Sequence, residues 1–304
     1  MRAARVFVML ALVLCGCGSQ PQPVGVVTPA PSAIQHEQMT VGGIVRSYRL
    51  FEPPSVISGG AVALVLLLHP CNSSGDHLAS ATHFDEQATS ARLVVAYPDG
   101  LANFGPGFAH CWNEFLDPTM PDDLAFLGQL MDRLKATLPI NPHRIFVAGQ
   151  QSGGHMAYTL ACAIPGRLTG IASVSGGMPL DGRAASMRCA SSQSTPVSVM
   201  EMHGTSDDFI PYEGGGGLAA PATVDLIKYW ATVDRCSGDP VVAQNGITKS
   251  EVWKLCRGAT TVRLDTVSGG HSTWFGSSVD SVLGEPNATA AVWTFFNSVP
   301  AKTQ

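Results

Sequence analysis

The stretch Val147-Ala148-Gly149-Gln150-Gln151-Ser152-Gly153-Gly154-His155-Met156 constrains the fold more than any other part of the chain. An apolar run enters it, a helix-forming run leaves it, and glycines stand two places before and two places after position 151. That spacing predicts a strand, a strained one-residue turn and a helix, with one side chain at the apex pushed out over the end of a sheet. The flanking glycines let neighbouring backbones pass close by. In this register Gln151 takes the apex and Ser152 comes one place late. Counted from Ser152, the outer positions would be Gln150 and Gly154, which puts a bulky side chain where the turn needs a small one.

The rest of the chain supports a single large α/β domain with additions. It has 304 residues, 45% hydrophobic and 13% charged, enough apolar material for one sizeable core. The net charge of −5 arises from mixed signs without long runs, which argues against nucleic acid or an anionic membrane surface as a partner. Residues 1–16 carry Arg2, Arg5 and an apolar run from Val6 to Leu14, followed by Cys15-Gly16-Cys17. A charged start, a core too short to span a bilayer and small residues before a cut have the layout of a secretory signal. The segment also resembles a bacterial lipoprotein signal, in which cleavage after Gly16 leaves Cys17 to be lipidated. Ordinary secretion is the alternative. Residues 17–35, rich in Gln, Pro, Ser, Thr and Val, read as a flexible tether, with the folded domain spanning 36–304.

Six further cysteines, Cys71, Cys111, Cys162, Cys189, Cys236 and Cys256, form an even set, and in an exported chain such a set reads as disulfides. Fifteen connectivities are possible and sequential pairing is the simplest. Each bridge would contribute about 3 kcal/mol by constraining the unfolded chain. A metal site is the rival, but no close Cys-x-x-Cys or His pair supports it. No metal and no cofactor is expected.

Two short strands are expected between Met39 and Phe51, around Gly42-Gly43. The continuous apolar runs Val62 to Leu68 and Leu93 to Tyr97 fit strands of a parallel sheet buried on both faces. Asp122 is placed to cap a helix whose residues Leu124, Leu127, Met131, Leu134 and Leu138 share one stripe. Arg144 to Ala148 enters the turn at Gln151 and Gly153 to Cys162 leaves it as a helix. Strands over Ile171–Ser175, Val197–Met202 and Val262–Val267, with helices over Pro221–Val233 and Asn287–Phe296, complete an open, mostly parallel twisted sheet with helices on both faces.

Two segments after the turn carry acid and base in the chain order of an α/β-hydrolase: nucleophile, acid, histidine. Asp207, with Asp208 in reserve, lies in His203-Gly204-Thr205-Ser206-Asp207-Asp208, where a carboxylate can accept the imidazole Nδ1 hydrogen and fix the tautomer. An Asx turn capping its own loop is the bland alternative for Asp207. His271, in Ser268-Gly269-Gly270-His271, follows the last expected strand and can serve as general base and then general acid. In Leu68-His69-Pro70-Cys71-Asn72, Pro70 has no N–H to give, so the N–H groups of Ser152 and Cys71 are the candidates for an oxyanion hole.

Together these motifs resemble the secreted polyhydroxybutyrate depolymerase and feruloyl esterase family, close to carbohydrate esterase family one and including actinobacterial lipoproteins. The resemblance runs from about Thr40 to Phe296. It covers Arg46-Ser47-Tyr48-Arg49-Leu50, the Leu68 to Cys71 corner, Cys111-Trp112-Asn113, Asp122 to Phe126, the turn with Met156-Ala157-Tyr158, the loop His203 to Tyr212, and Gly269-Gly270-His271. It implies an α/β-hydrolase fold and carboxylic-ester hydrolysis, with Asp207 and His271 as acid and base and the serine nucleophile at position 151. This chain departs from the pattern there, with Gln151, and also at Pro70, where the family has glycine, and at Trp274-Phe275-Gly276.

Three readings follow. Ser152 attacks an ester carbonyl after a one-residue shift of the turn, with His271 and Asp207 completing a triad. Alternatively, the chain binds an ester or glycan without chemistry, because a glutamine amide is no usable nucleophile. In the third, an acyl group passes to an envelope alcohol. Each takes a small-molecule or polymeric ester as partner, with the membrane engaged only through the lipid anchor, and Trp112, Trp274 and Tyr212 could line the groove.

Overall fold

Val62–Leu68 is buried at every position, and its alternate side chains divide between two cores: Leu64, Leu66 and Leu68 point into one, Ala63, Val65 and Leu67 into the other. A strand covered on both faces needs no polar side, which is why this run is unbroken. The computed structural model describes residues 33–57, 59–179, 189, 195–217, 219–276 and 284–302. The expected signal peptide, Cys17 and nearly all of the expected tether lie outside the described residues.

In chain order the elements are β1 (Ile34–Val41), β2 (Ile44–Phe51), α1 (Pro54–Ile57), β3 (Val62–Leu68), α2 (Gly75–Thr82), α3 (Phe84–Ala91), β4 (Val94–Pro98), α4 (Asp123–Thr137), β5 (Ile140–Gln150), α5 (Ser152–Ala163), β6 (Gly170–Val174), β7 (Ser198–Gly204), α6 (Thr223–Val233), β8 (Val241–Asn245), β9 (Thr248–Trp253), β10 (Val262–Val267) and α7 (Ala288–Ser298). The described strands form one sheet in the order β1-β2-β4-β3-β5-β6-β7-β10-β9-β8. Its centre, from β4 to β10, is parallel, and an antiparallel pair flanks it at each end. Helices α4, α5 and α6 cover one face through residues such as Phe126, Met156 and Trp230. Helices α2, α3 and α7 cover the other through Leu78, Phe84 and Phe295.

Residues 34 and 35, read as the end of the tether, already pair with Phe51 and Leu50 in β1. Asp122 caps α4 as expected, its side chain accepting from Ala125 N–H at 2.8 Å. The inner stripe of α4 also includes Phe126 and Leu130, whereas Leu124 and Leu138 are only partly buried. The β8–β9 hairpin was not anticipated. All five positions of β8 are exposed, so no alternation of apolar and polar residues marks it. The structure pairs Cys71 with Cys111, Cys162 with Cys189 and Cys236 with Cys256, the sequential connectivity.

The parallel centre places the C-terminal ends of β3, β5, β7 and β10 along one edge. There α5 crosses so close to β3 and β5 that a Cβ on Gly153 would collide with the Leu68 carbonyl, and one on Gly149 with the backbone of Gly153. Gly153→Ala should therefore lower the stability by about 1–3 kcal/mol through overpacking. Gly166→Ala, where a Cβ meets nothing within 4 Å, should shift it far less. Urea midpoints compare the two, and equal midpoints would show that the close approach does not constrain the fold.

Candidate active site

A single residue joins β5 to α5. Gln151 has φ 50° and ψ −116°, a backbone conformation that costs a non-glycine residue about 1–3 kcal/mol. The surroundings hold it there: its N–H donates to Val174 O at 3.1 Å, and its carbonyl accepts from His155 N–H at 2.9 Å. The side chain leaves the turn toward the loop after β10, where Nε2 donates to Ser272 Oγ at 2.7 Å and lies 3.3 Å from Ser272 O. Gln151 is thus the apex.

Ser152 is the first residue of α5 and is nearly buried. Its Oγ lies 3.4 Å from Cys71 Sγ, and because that sulfur belongs to a disulfide the hydroxyl must be the donor. The one-residue shift that would present Ser152 at the apex is not adopted. The contact does bring Ser152 and Cys71, the two expected oxyanion donors, side by side. The corner behind Cys71 is fixed by His69. Nε2 of His69 accepts from Gly100 N–H at 2.9 Å, so Nδ1 is the donor to Pro70 O at 2.7 Å, and Trp112 Nε1 donates to His69 O. Burial lowers the His69 pKa, which suits this neutral tautomer.

The loops after β7 and β10 are bonded to one another. Ser206 N–H donates to Gly270 O, Gly269 N–H donates to Thr205 Oγ1, and the backbones of Gly204 and Gly270 approach too closely for a Cβ on Gly204. His271 Nδ1 lies 3.0 Å from Ser206 O. A carbonyl only accepts, so Nδ1 carries the hydrogen and Nε2 remains the basic nitrogen, the tautomer a general base needs.

Asp207 does not complete that arrangement. Its Oδ1 accepts from the N–H groups of Phe209 and Ile210, an Asx-type cap, and Oδ2 lies 3.4 Å from His203 Nε2. The expected Asp207–His271 hydrogen bond is replaced by the backbone carbonyl of Ser206. The preference for its own loop follows from reach: Asp207 satisfies two adjacent N–H groups without leaving the turn. Asp208 lines a surface pocket together with Phe209, His271, Ser272 and Thr273.

Sequence reasoning missed the buried group behind Asp207. His203 Nδ1 lies 2.9 Å from Glu201 Oε1, Nε2 lies 2.8 Å from Ile210 O, and Tyr158 Oη donates to Glu201 Oε2 at 2.7 Å. Burial works against charge on this imidazole. The interactions with Asp207 and Glu201 and the Ile210 carbonyl outweigh it and push the His203 pKa up to about 10. The available signal was Glu201 and His203 two residues apart within the otherwise apolar β7, which puts both on one buried face.

Beside the turn opens a cleft of about 450 Å³, bordered by Cys71, Ser152, Glu114, Asp208 and four phenylalanines, Phe104, Phe108, Phe115 and Phe209. Of the aromatics expected to line a groove, none borders this cleft: Trp112 and Trp274 are buried, and Tyr212 Oη meets Thr266 Oγ1. Glu114 and His155 are also buried here, with Oε1 and Nδ1 3.8 Å apart, too long for a hydrogen bond. Burial pushes the carboxyl up to about 8, helped by the charge of Asp123, and the imidazole down to about 3, so near neutral pH this is not an ion pair. Among the described residues, no cluster of three or more His, Cys, Asp or Glu could hold a metal.

The phospholipase and carboxylesterase family matches residues 119–232, which contain the turn and the loop of Asp207. The chain is 26% identical to feruloyl esterase B of Piromyces equi over 228 residues, 71% of this chain and 41% of that protein. It is 24% identical to feruloyl esterase C of Emericella nidulans over 227 residues, 73% and 71%. An acetyl xylan esterase from Aspergillus awamori superposes with a TM-score of 0.63 at 13% identity, covering 86% of this chain and 99% of that one. The domain is a feruloyl esterase-like α/β-hydrolase. The chain spans about two fifths of the Piromyces relative's length. Within this esterase-like fold, the turn at Gln151 and the loops of Asp207 and His271 follow the C-terminal ends of β5, β7 and β10 at one sheet edge.

The His203 charge has a stability signature. Its folded pKa is raised above the ordinary histidine value of 6.5, so the contribution is full below about pH 6.5 and is lost as pH climbs through about 10. Urea midpoints should accordingly fall between pH 7 and pH 10, and His203→Gln should flatten that slope while lowering stability at pH 7. A slope unchanged in the variant would contradict the charged assignment.

Proposed function

We propose that the protein is an exported, lipid-anchored esterase-like scaffold that holds an ester-type ligand beside the turn without nucleophilic turnover. The observation that carries this reading is Gln151 at the apex, with its amide tied to Ser272. A neutral amide has no nucleophilic oxygen or sulfur to activate at neutral pH. The amide also occupies the space between the turn and the histidine loop that an attacking hydroxyl would need, since attack requires reacting atoms within about 3–3.5 Å. The commitment of Asp207 to its own loop and to His203 points the same way. On this reading Gln151 stands in the nucleophile slot, the N–H groups of Ser152 and Cys71 hold a ligand carbonyl, and Cys17 carries the lipid. Export is supported by the three disulfides and the leader. The names of the relatives and the phenylalanine-lined cleft favour aromatic or polymeric esters as ligands.

Hydrolysis through Ser152 has one observation in its favour: that residue borders the cleft. Acyl transfer to an envelope alcohol would use the same groups. The two readings with chemistry are separated from the binding reading by p-nitrophenyl acetate and butyrate turnover. The wild type is expected to show no turnover above background. Gln151→Ser should raise the rate by about 10²-fold or more, because a hydroxyl at the apex can use His271 Nε2 as base. Robust wild-type turnover that Ser152→Ala abolishes and Gln151→Ala leaves intact would establish Ser152 as the nucleophile. Under that outcome, adding an alcohol tells whether water or the alcohol receives the acyl group.

A further inference from the structure

The cleft beside the turn combines aromatic walls, which suit an aromatic ester, with acidic groups that an uncharged ester does not call for. Four phenylalanines, Phe104, Phe108, Phe115 and Phe209, border it, and three of them are 39%, 43% and 50% exposed, an unusual cost for a surface that covers nothing. Among the described residues that line it, the ionisable groups are Glu114 and Asp208, and none is a lysine, arginine or histidine. Glu114 is 4% exposed and its Oε2 has no hydrogen-bond partner. A buried carboxyl with an open acceptor is costly unless something arrives to satisfy it. The groups nearest Glu114 supply no positive charge: His155 on α5, both of whose ring nitrogens lack hydrogen-bond partners, and Asp123 on α4, which is already bound to Arg46.

We propose that this cleft binds a small organic cation, an alkylammonium or quaternary ammonium group seated among the four phenylalanines with Glu114 as its counter-ion. Aromatic faces attract such cations through their quadrupoles, and the attraction grows when water is excluded. The walls offer few oxygens, which suits a weakly hydrated organic cation and not a metal ion that needs six or more oxygen ligands. The volume, about 450 Å³, lies in the range of small-molecule sites. At the other end, the first turn of α5 at Ser152 favours negative charge, so a ligand that also carries a carbonyl would place its oxygen there and its cation at Glu114.

Protonation is linked to this event. In the empty cleft Glu114 holds its proton up to about pH 8, and a bound cation favours the carboxylate, so binding releases a proton below that pH. Affinity therefore rises with pH and levels off above about pH 8. The proposal rests on the cleft being a ligand site, not on the absence of turnover, so an active Ser152 would leave it standing.

Calorimetric titration with choline and with 3,3-dimethylbutan-1-ol, its uncharged carbon isostere, tests it. Choline should bind at least about tenfold more tightly at pH 9, and its affinity should fall roughly tenfold by pH 7, where binding must release one proton per site. Glu114→Gln should remove the preference for the cation. Phe209→Ala, at an exposed position where folding is not at stake, should weaken choline severalfold. Equal affinity for the two probes, no choline binding at millimolar concentration, or choline binding indifferent to both substitutions would overturn the proposal. Equal affinity in particular would make the cleft a merely apolar one.

Discussion

The strained backbone at Gln151 is the constraint on which the rest of the sheet edge depends. A φ of 50° in a residue with a side chain persists only where the surroundings leave no alternative. Here β3 and β6 grip β5 from either side, α5 presses its first glycine against the Leu68 carbonyl, and Val174 accepts the Gln151 N–H. Sliding the apex to Ser152 would put Gln150 where Gly149 now meets the backbone of Gly153. The packing therefore fixes the register, and the register decides which side chain reaches the histidine loop.

From that point the chemistry of the edge follows by proximity. A carboxamide at the apex finds a hydroxyl and a carbonyl at Ser272 and ties the β10 loop to the helix. His271 is left in the tautomer of a base but with a backbone carbonyl, not a carboxylate, behind its Nδ1. Asp207 instead caps its own turn and leans on His203, which sits between two carboxylates in the interior. The scaffold is esterase-like, and at its edge Gln151 bonds to Ser272, His271 to the Ser206 carbonyl and Asp207 to its own loop.

Much of this was legible in the sequence, for identifiable reasons. Strands β3 and β10 follow the expected bounds because fully buried parallel strands are written as unbroken apolar runs ended by turn residues. The turn register was readable from Gly149 and Gly153 because only glycine fits a contact that close. The role of Asp207 was less legible: a short carboxylate on a tight loop can serve a histidine or its own N–H groups, and only the loop's path chooses. Glu201 and His203 share a face of β7, but Tyr158, which donates to Glu201, and His155, which lies near Glu114, come from 43 and 41 positions away in the chain, so no local pattern announces those contacts. Tryptophans were offered as groove-lining residues, but those are buried, and the phenylalanines that border the cleft come from two separate stretches of chain, the β4–α4 connection and the loop after β7.

The central claim is that no activated serine exists at this edge. Labelling the purified protein with a fluorophosphonate and reading the intact mass, followed by peptide mapping, tests it without knowledge of the natural ligand. The account predicts an unmodified mass after incubation that fully labels a competent serine esterase run alongside. Stoichiometric modification mapped to Ser152 would contradict it.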